Sequence, residues 1–180
     1  MGKKRPDLTP QLQEFIKEQK IFFVGTAADS GFVNVSPKGM STFYILNSQE
    51  VLWLNMTGSG NETAAHILKD ARMTVMFCSF DKNPLILRLY GTAEVYHERD
   101  AVFSEYMRYF EETTGARQIF KLSIDLVQSS CGFGVPFMDY KGERDTLKVW
   151  AEHKGESGIK EYWTEKNQTS LDGFDTGIFE

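Results

Sequence analysis

Val51-Leu-Trp-Leu-Asn-Met-Thr-Gly-Ser-Gly-Asn-Glu-Thr-Ala-Ala-His-Ile-Leu68 joins two kinds of structure through a nearly bare connection. Val51 to Asn55 is an apolar run of strand length. From Glu62 the pattern is helical, with Ala65, Ile67 and Leu68. Between them, Thr57 to Asn61 holds two glycines and small polar residues. Two readings fit this joint. One is a capped helix start, with Ser59 or Asn61 as the capping residue and Thr57-Gly58 as a turn. The other is a phosphate seat, because glycines let an anion approach the backbone and N–H groups at a helix start point toward it. In that reading the hydroxyls of Thr57, Ser59 and Thr63 and the amide of Asn61 add donors. The joint lacks the Gly-Lys-Ser/Thr ending of an ATP-binding loop and is not Gly-x-Gly-x-x-Gly.

Outward from the joint, strand and helix patterns alternate irregularly. Thr9 to Lys20 reads as a helix capped by Thr9, with Pro10 in its first turn. Ile21 to Ala27 and Phe32 to Val35 read as a hairpin through Asp29-Ser-Gly31, and Ser36-Pro-Lys-Gly39 breaks the second strand at a bulge, edge or bend. Further strands are expected at Thr42–Leu46, Arg72–Phe80, Leu85–Tyr96 and Gln118–Gln128, with an amphipathic helix at Glu98–Glu112. Two short polar helices are expected around Thr146–His153 and Gly158–Glu165. The polar tail beyond them should be ordered only if a partner holds it. Six or seven short strands with inserted helices point to a closed or nearly closed antiparallel barrel, not to a doubly wound parallel sheet.

The composition bounds the function. A chain of 180 residues with 41% hydrophobic and 25% charged residues suits one globular domain. Its 20 basic and 25 acidic residues give a net charge of −5, which argues against a nucleic-acid partner. Cys78 and Cys131 form no Cys-x-x-Cys pair, the N-terminus does not resemble a signal peptide, and no stretch is apolar enough to span a membrane. A cytoplasmic protein is expected. His66, His97 and His153 lack ligand spacing, so no metal site is expected. Asp81, Arg88 and Glu94 mark no acid–base pair, and Cys131 has no neighbouring base in sequence, so it reads as an inert thiol.

Together the motifs resemble the pyridoxamine 5′-phosphate oxidase-like, FMN-binding split-barrel proteins. The resemblance rests on Phe22-Phe-Val-Gly-Thr-Ala27, Val33-Asn-Val-Ser-Pro-Lys-Gly39 and Leu52-Trp-Leu-Asn-Met-Thr-Gly-Ser-Gly-Asn-Glu-Thr63. It extends through Arg72-Met-Thr-Val-Met-Phe-Cys78, Leu87-Arg-Leu-Tyr-Gly-Thr-Ala93 and Ser130-Cys-Gly-Phe-Gly-Val-Pro136. It implies a mainly β fold with inserted helices: a six-stranded antiparallel Greek-key split barrel, as a homodimer holding FMN at the subunit interface. Residues 1–140 would form the FMN-binding domain and 141–180 a polar helical extension of it. Lys38 would meet the phosphate, with Ser36 and Pro37 near the ring. Asn55, Thr57, Ser59, Asn61 and Thr63 would line the joint. Cys131, Gly132 and Phe133 would lie across the interface.

The sequence also departs from that family. Asn61-Glu-Thr63 stands where the oxidases carry Ser-Arg-Lys, so the phosphate grip is more neutral. Glu62 must then point away from the anion, as in a capping box. No arginine–histidine motif follows at the C-terminus, which argues against pyridoxamine phosphate as the substrate. The implied function is an FMN-dependent oxidoreductase acting on a small molecule, or drawing electrons from a nicotinamide cofactor. Its alternatives are a flavin-binding or flavin-storage protein without turnover, and a split barrel holding haem or a deazaflavin.

Overall fold

The computed structural model describes residues 2–179. In chain order the elements are β1 (Lys3–Arg5), α1 (Pro10–Glu18), β2 (Phe22–Thr26), β3 (Asn34–Lys38), β4 (Phe43–Ile45) and β5 (Glu50–Met56). They continue with α2 (Glu62–Lys69), β6 (Arg72–Cys78), β7 (Leu85–His97), α3 (Ala101–Met107), β8 (Ala116–Cys131) and α4 (Thr146–Lys166). One antiparallel sheet carries all eight strands in the order β3-β2-β6-β7-β8-β5-β4, with β1 paired to β8 off that path.

The sheet curls until its two ends meet through their inner faces. Phe22 of β2 lies 5.1 Å, centroid to centroid, from Phe43 of β4, and Phe77 of β6 lies 5.0 Å from the same ring. Trp53 of β5 stacks on Phe120 of β8 at 4.7 Å. These rings, with Val24, Val75, Leu87, Leu89 and Leu122, fill the interior. Truncating one of them, such as the 1% exposed Phe77, to alanine would cost about 3–5 kcal/mol.

The apolar run of β5 follows from cover on both faces. Val51 and Trp53 turn into the interior. Leu52 and Leu54 pack outside it against Phe103 of α3 and Ile119. Helix α2 then carries the chain across to β6, two strands beyond β8 in the sheet order. The long pair β7–β8 needs one glycine: a Cβ on Gly91 would sit 1.9 Å from the Ser123 carbonyl oxygen, beside a register shift between Tyr90 and Gly91.

Several expectations need correction. The sheet holds eight strands where the resemblance implied six. The short, polar β1 has no apolar alternation to reveal it, and it pairs with β8 at Val127–Ser129. Of the bulge, edge or bend expected at Ser36-Pro-Lys-Gly39, the edge is found, and β3 runs on through Lys38. That strand is the sheet edge, so Pro37 withholds no hydrogen bond that a neighbour needs. Helix α3 covers only Ala101–Met107 of the expected Glu98–Glu112, and β8 runs from Ala116 to Cys131. The two C-terminal helices abut as α4, and Gly155, at φ 63° and ψ 175°, separates them. Beyond α4 the chain itself supplies the restraint: the Arg99 guanidinium donates to the carbonyls of Gly177 and Ile178 at 2.7 and 2.8 Å, and Phe32 N donates to Asp172 at 3.0 Å.

Candidate functional site

Where β5 leaves the sheet, the joint bounds a cavity of about 230 Å³, whose other wall is the inward face of β3. Alternation along β3 turns Asn34, Ser36 and Lys38 toward the cavity and Val35 and Pro37 outward. Asn55 and Trp53 close it from β5, and Ser59, Asn61 and Thr63 from the joint and the start of α2. Lys38 Nζ stands 4.9 Å from the Trp53 ring centroid, a cation–π position. Burial, and then the nearby Arg117 charge, push its pKa down to about 8.

The joint settles one of the two readings. Asn61 occupies the N-cap position of α2 but makes no side-chain cap bond. Its Nδ2 donates instead to the Asn167 carbonyl at 3.3 Å. The capping alternative therefore fails at its own residue, and the first amides of α2 keep no side-chain acceptor there. Glu62 makes no capping box either, because its carboxylate accepts from Leu171 N at 3.0 and 3.1 Å. Thr57 is 1% exposed and does not line the cavity. Its hydroxyl donates to the Gly115 carbonyl and accepts from Trp163 Nε1, both at 2.8 Å. Thr63 accepts from Asn34 Nδ2 at 3.3 Å, and Asn34 also reaches Thr26, which bonds the buried His66 ring at 3.1 Å.

Sequence reasoning missed the most buried charge here. Arg117, the second residue of β8, is 3% exposed and lines the cavity wall. It donates to the carbonyls of Gly58 and Gly60 at 3.4 and 3.0 Å and to Asn167 Oδ1 at 2.7 Å. Burial lowers its pKa to about 10, so it stays charged at neutral pH. No spacing in the sequence announces it. Only the β5–β8 register, which pairs Met56 with Ala116, brings it under the joint.

The remaining expected site residues lie elsewhere. Cys131 ends β8, opposite Leu85 and at the far end from Ala116, and Phe133 is 82% exposed. Within one chain, Cys131, Gly132 and Phe133 do not line the cavity. Cys78 and Cys131 are both free thiols. Among the described residues no group of three metal-ligating side chains occurs, and no helix is long and apolar enough to cross a membrane.

Among the described residues, buried polar atoms without partners remain at the cavity: Ser36 Oγ, Asn61 Oδ1 and Arg117 Nε. The Lys38 ammonium and the first amides of α2 are groups that can bind an anion, and the orphaned Ser36 and Asn61 oxygens can bond hydroxyl groups.

Comparison with known proteins places this architecture. The family model described as pyridoxamine 5′-phosphate oxidase matches residues 8–131. The pyridoxamine 5′-phosphate oxidase family protein ustO of Aspergillus flavus is 38% identical over 184 residues, covering 92% of this chain and 74% of that protein. Solved structures share the fold at lower identity. HupZ of Group A Streptococcus has a TM-score of 0.55 at 17% identity, over 66% of this chain and 91% of its own. The FAD-binding protein of Mycobacterium smegmatis has 0.50 at 13%, over 70% and 97%. The family match runs from just before α1 to the last residue of β8, and the chain belongs to the pyridoxamine 5′-phosphate oxidase family.

Proposed function

We propose that this protein is an FMN-binding flavoprotein. It would work as a homodimer and use the flavin to oxidise or reduce a small molecule, with a nicotinamide cofactor as the candidate electron donor. The carrying observation is the pair of cations, Lys38 and Arg117, at one cavity that also holds the open amides of α2. Among the described residues neither cation has a carboxylate within 4 Å. Glu62 does line the cavity, but its oxygens accept from Leu171 N. An anion offsets the cost of holding two such charges out of water.

FMN fits better than FAD. Behind the joint stand Arg117, Asn167 and Trp163, all buried, where FAD would need room for a second phosphate and an adenosine. The cavity, about 230 Å³, is also smaller than the roughly 300–1,000 Å³ of a complete ligand pocket. It suits the polar end of FMN, and a second copy of the chain would cover the rest. Phe32, Val33 and Val35 at the β3 edge are 69%, 73% and 67% exposed, an apolar strip of the kind a partner covers. The loop of Cys131, Gly132 and Phe133, remote from the joint in its own chain, would reach a flavin only as part of that partner.

The flavin, when bound, supplies the electron transfer. The chain orients it and sets its surroundings. Lys38 would hold the phosphate, and Ser36 and Asn61 would bond hydroxyls of the ribityl chain through their unpartnered oxygens. The test is the visible spectrum of the purified protein, followed by the mass of the released ligand. FMN mass with flavin bands supports the reading, and oxidation of NADH or NADPH by that holoprotein separates an enzyme from a flavin store. A protein that is colourless and refuses added FMN, or one that carries a haem spectrum, refutes it.

A further inference from the structure

We propose that Arg117 and Asn167 form a lock behind the joint that turns its peptide N–H groups into the cavity and makes the site selective for a terminal phosphomonoester. The inference rests on the phosphate reading of the joint, and it assigns the C-terminal segment a part in binding.

The lock is visible in its hydrogen bonds. Arg117 and Asn167 Nδ2 both donate to the Gly58 carbonyl, at 3.4 and 3.0 Å, and Arg117 also holds the Gly60 carbonyl at 3.0 Å. Arg117 and Asn167 are joined at 2.7 Å. Among the described residues no cis peptide occurs, so each trans peptide sends its N–H opposite to its carbonyl. With both carbonyls drawn back, the N–H groups of Ser59 and Asn61 face away from the lock. Asn167, itself 0% exposed, is fixed in turn: its carbonyl accepts from Asn61 Nδ2 at 3.3 Å and from Thr176 Oγ1 at 2.6 Å. Arg117 is thus a positioning residue, and its charge adds to the field at the joint.

This arrangement compensates the departure in the motif. Glu62 and Thr63 stand where a basic pair would supply charge at the start of α2. Here the charge comes from β8 and β3, through Arg117 and Lys38. Asn167 lies outside the family match of residues 8–131, so the lock includes a part of the chain that the match does not cover.

The test compares FMN with riboflavin, which differ by the phosphate alone, on Arg117→Gln and Asn167→Ala. Dissociation constants come from flavin fluorescence, and folding is checked by circular dichroism. Arg117→Gln should weaken FMN about tenfold or more and riboflavin less than about twofold; Asn167→Ala should weaken FMN about three- to tenfold with the same sparing. Equal losses for the two flavins, or none, overturn the lock. If Arg117→Gln does not fold, Asn167→Ala decides. If the unaltered protein binds neither flavin, the flavin reading has failed, and the lock is read with inorganic phosphate alone. Phosphate that raises the melting temperature of the parent but not of Asn167→Ala supports it, and phosphate that stabilises neither overturns it.

Discussion

Raising the pH from 7 to 9.5 should weaken FMN binding while leaving riboflavin nearly untouched. Lys38 is half-buried against Trp53 with Arg117 nearby, and those surroundings hold its pKa at about 8, against 10.5 for a free lysine. A seated phosphate favours the ammonium form, so above pH 8 binding must take up a proton. FMN affinity then falls by the factor 1 + 10^(pH − 8): about twofold at pH 8, about 11-fold at pH 9 and about 30-fold at pH 9.5. The loss saturates at what the ammonium contributes, about 1.5–3 kcal/mol for a hydrogen bond between charged groups, or about 10- to 150-fold. Arg117, with a pKa of about 10, stays mostly charged through this range. The phosphate's own second ionisation, near pH ~6, sets the lower edge of the plateau. Fluorescence titrations of both ligands at half-unit steps measure the ratio of their affinities, in which ionisation of the shared ring cancels. Lys38→Met should lower FMN affinity at pH 7 and flatten the profile above it. A wild-type ratio that stays constant from pH 7 to 9.5 would refute the placement of Lys38 at the phosphate.

Three further outcomes test the scaffold. Trp163→Phe removes the indole donor from Thr57 and should lower unfolding free energy by about 1–2 kcal/mol; an unchanged urea midpoint would show the bond to be redundant. Gly91→Ala drives a methyl to 1.9 Å from the Ser123 oxygen and should cost about 3 kcal/mol or prevent folding, so a variant as stable as the parent would contradict the β7–β8 register. Burial, with the Arg99 and Arg117 charges, holds the His97 pKa at about 4 despite the opposing pull of Asp100. The unfolded chain therefore binds the proton first, and stability should be full above pH 6.5 and fall by about 3 kcal/mol as the pH drops to 4. His97→Gln should remove that component from denaturant midpoints measured across this range.

The sequence made the strands legible wherever burial is periodic. Phe22, Val24 and Thr26 alternate inward, and the continuous run of β5 is explained by cover on both faces. It also exposed the helix start at Glu62 and, through the order of its motifs, the family. It failed where position depends on pairing alone. The polar β1 exists because β8 offers it an edge. Pro37 leaves a bulge, an edge and a bend all open until β3 is known to be the outermost strand. Thr57 looks like a phosphate donor in sequence, yet its hydroxyl is taken by Gly115 and Trp163, a partner 106 residues away. Arg117 was hidden for the same reason, since a register match between β5 and β8 cannot be read from the spacing of either strand.

The bareness of Thr57 to Asn61 is not imposed by packing within the chain. A joint that needed only to turn could carry side chains, because a Cβ on Gly58 would meet no atom within 4 Å. Its backbone is engaged nevertheless: Arg117 and Asn167 hold the carbonyls of Gly58 and Gly60, and Gly58, Ser59, Gly60 and Asn61 line the cavity. Small residues there leave the cavity open to a ligand. Arg117 is 3% exposed and tied to neutral acceptors, and among the described residues no carboxylate lies within 4 Å of it. A basic pair at positions 62 and 63 would also stand at the cavity, since both positions line it and Thr63 is buried. Asn61-Glu-Thr63, with one acidic and no basic side chain, is thus compatible with an anion-seeking site, because Arg117 on β8 and Lys38 on β3 bring the positive charge to the same cavity.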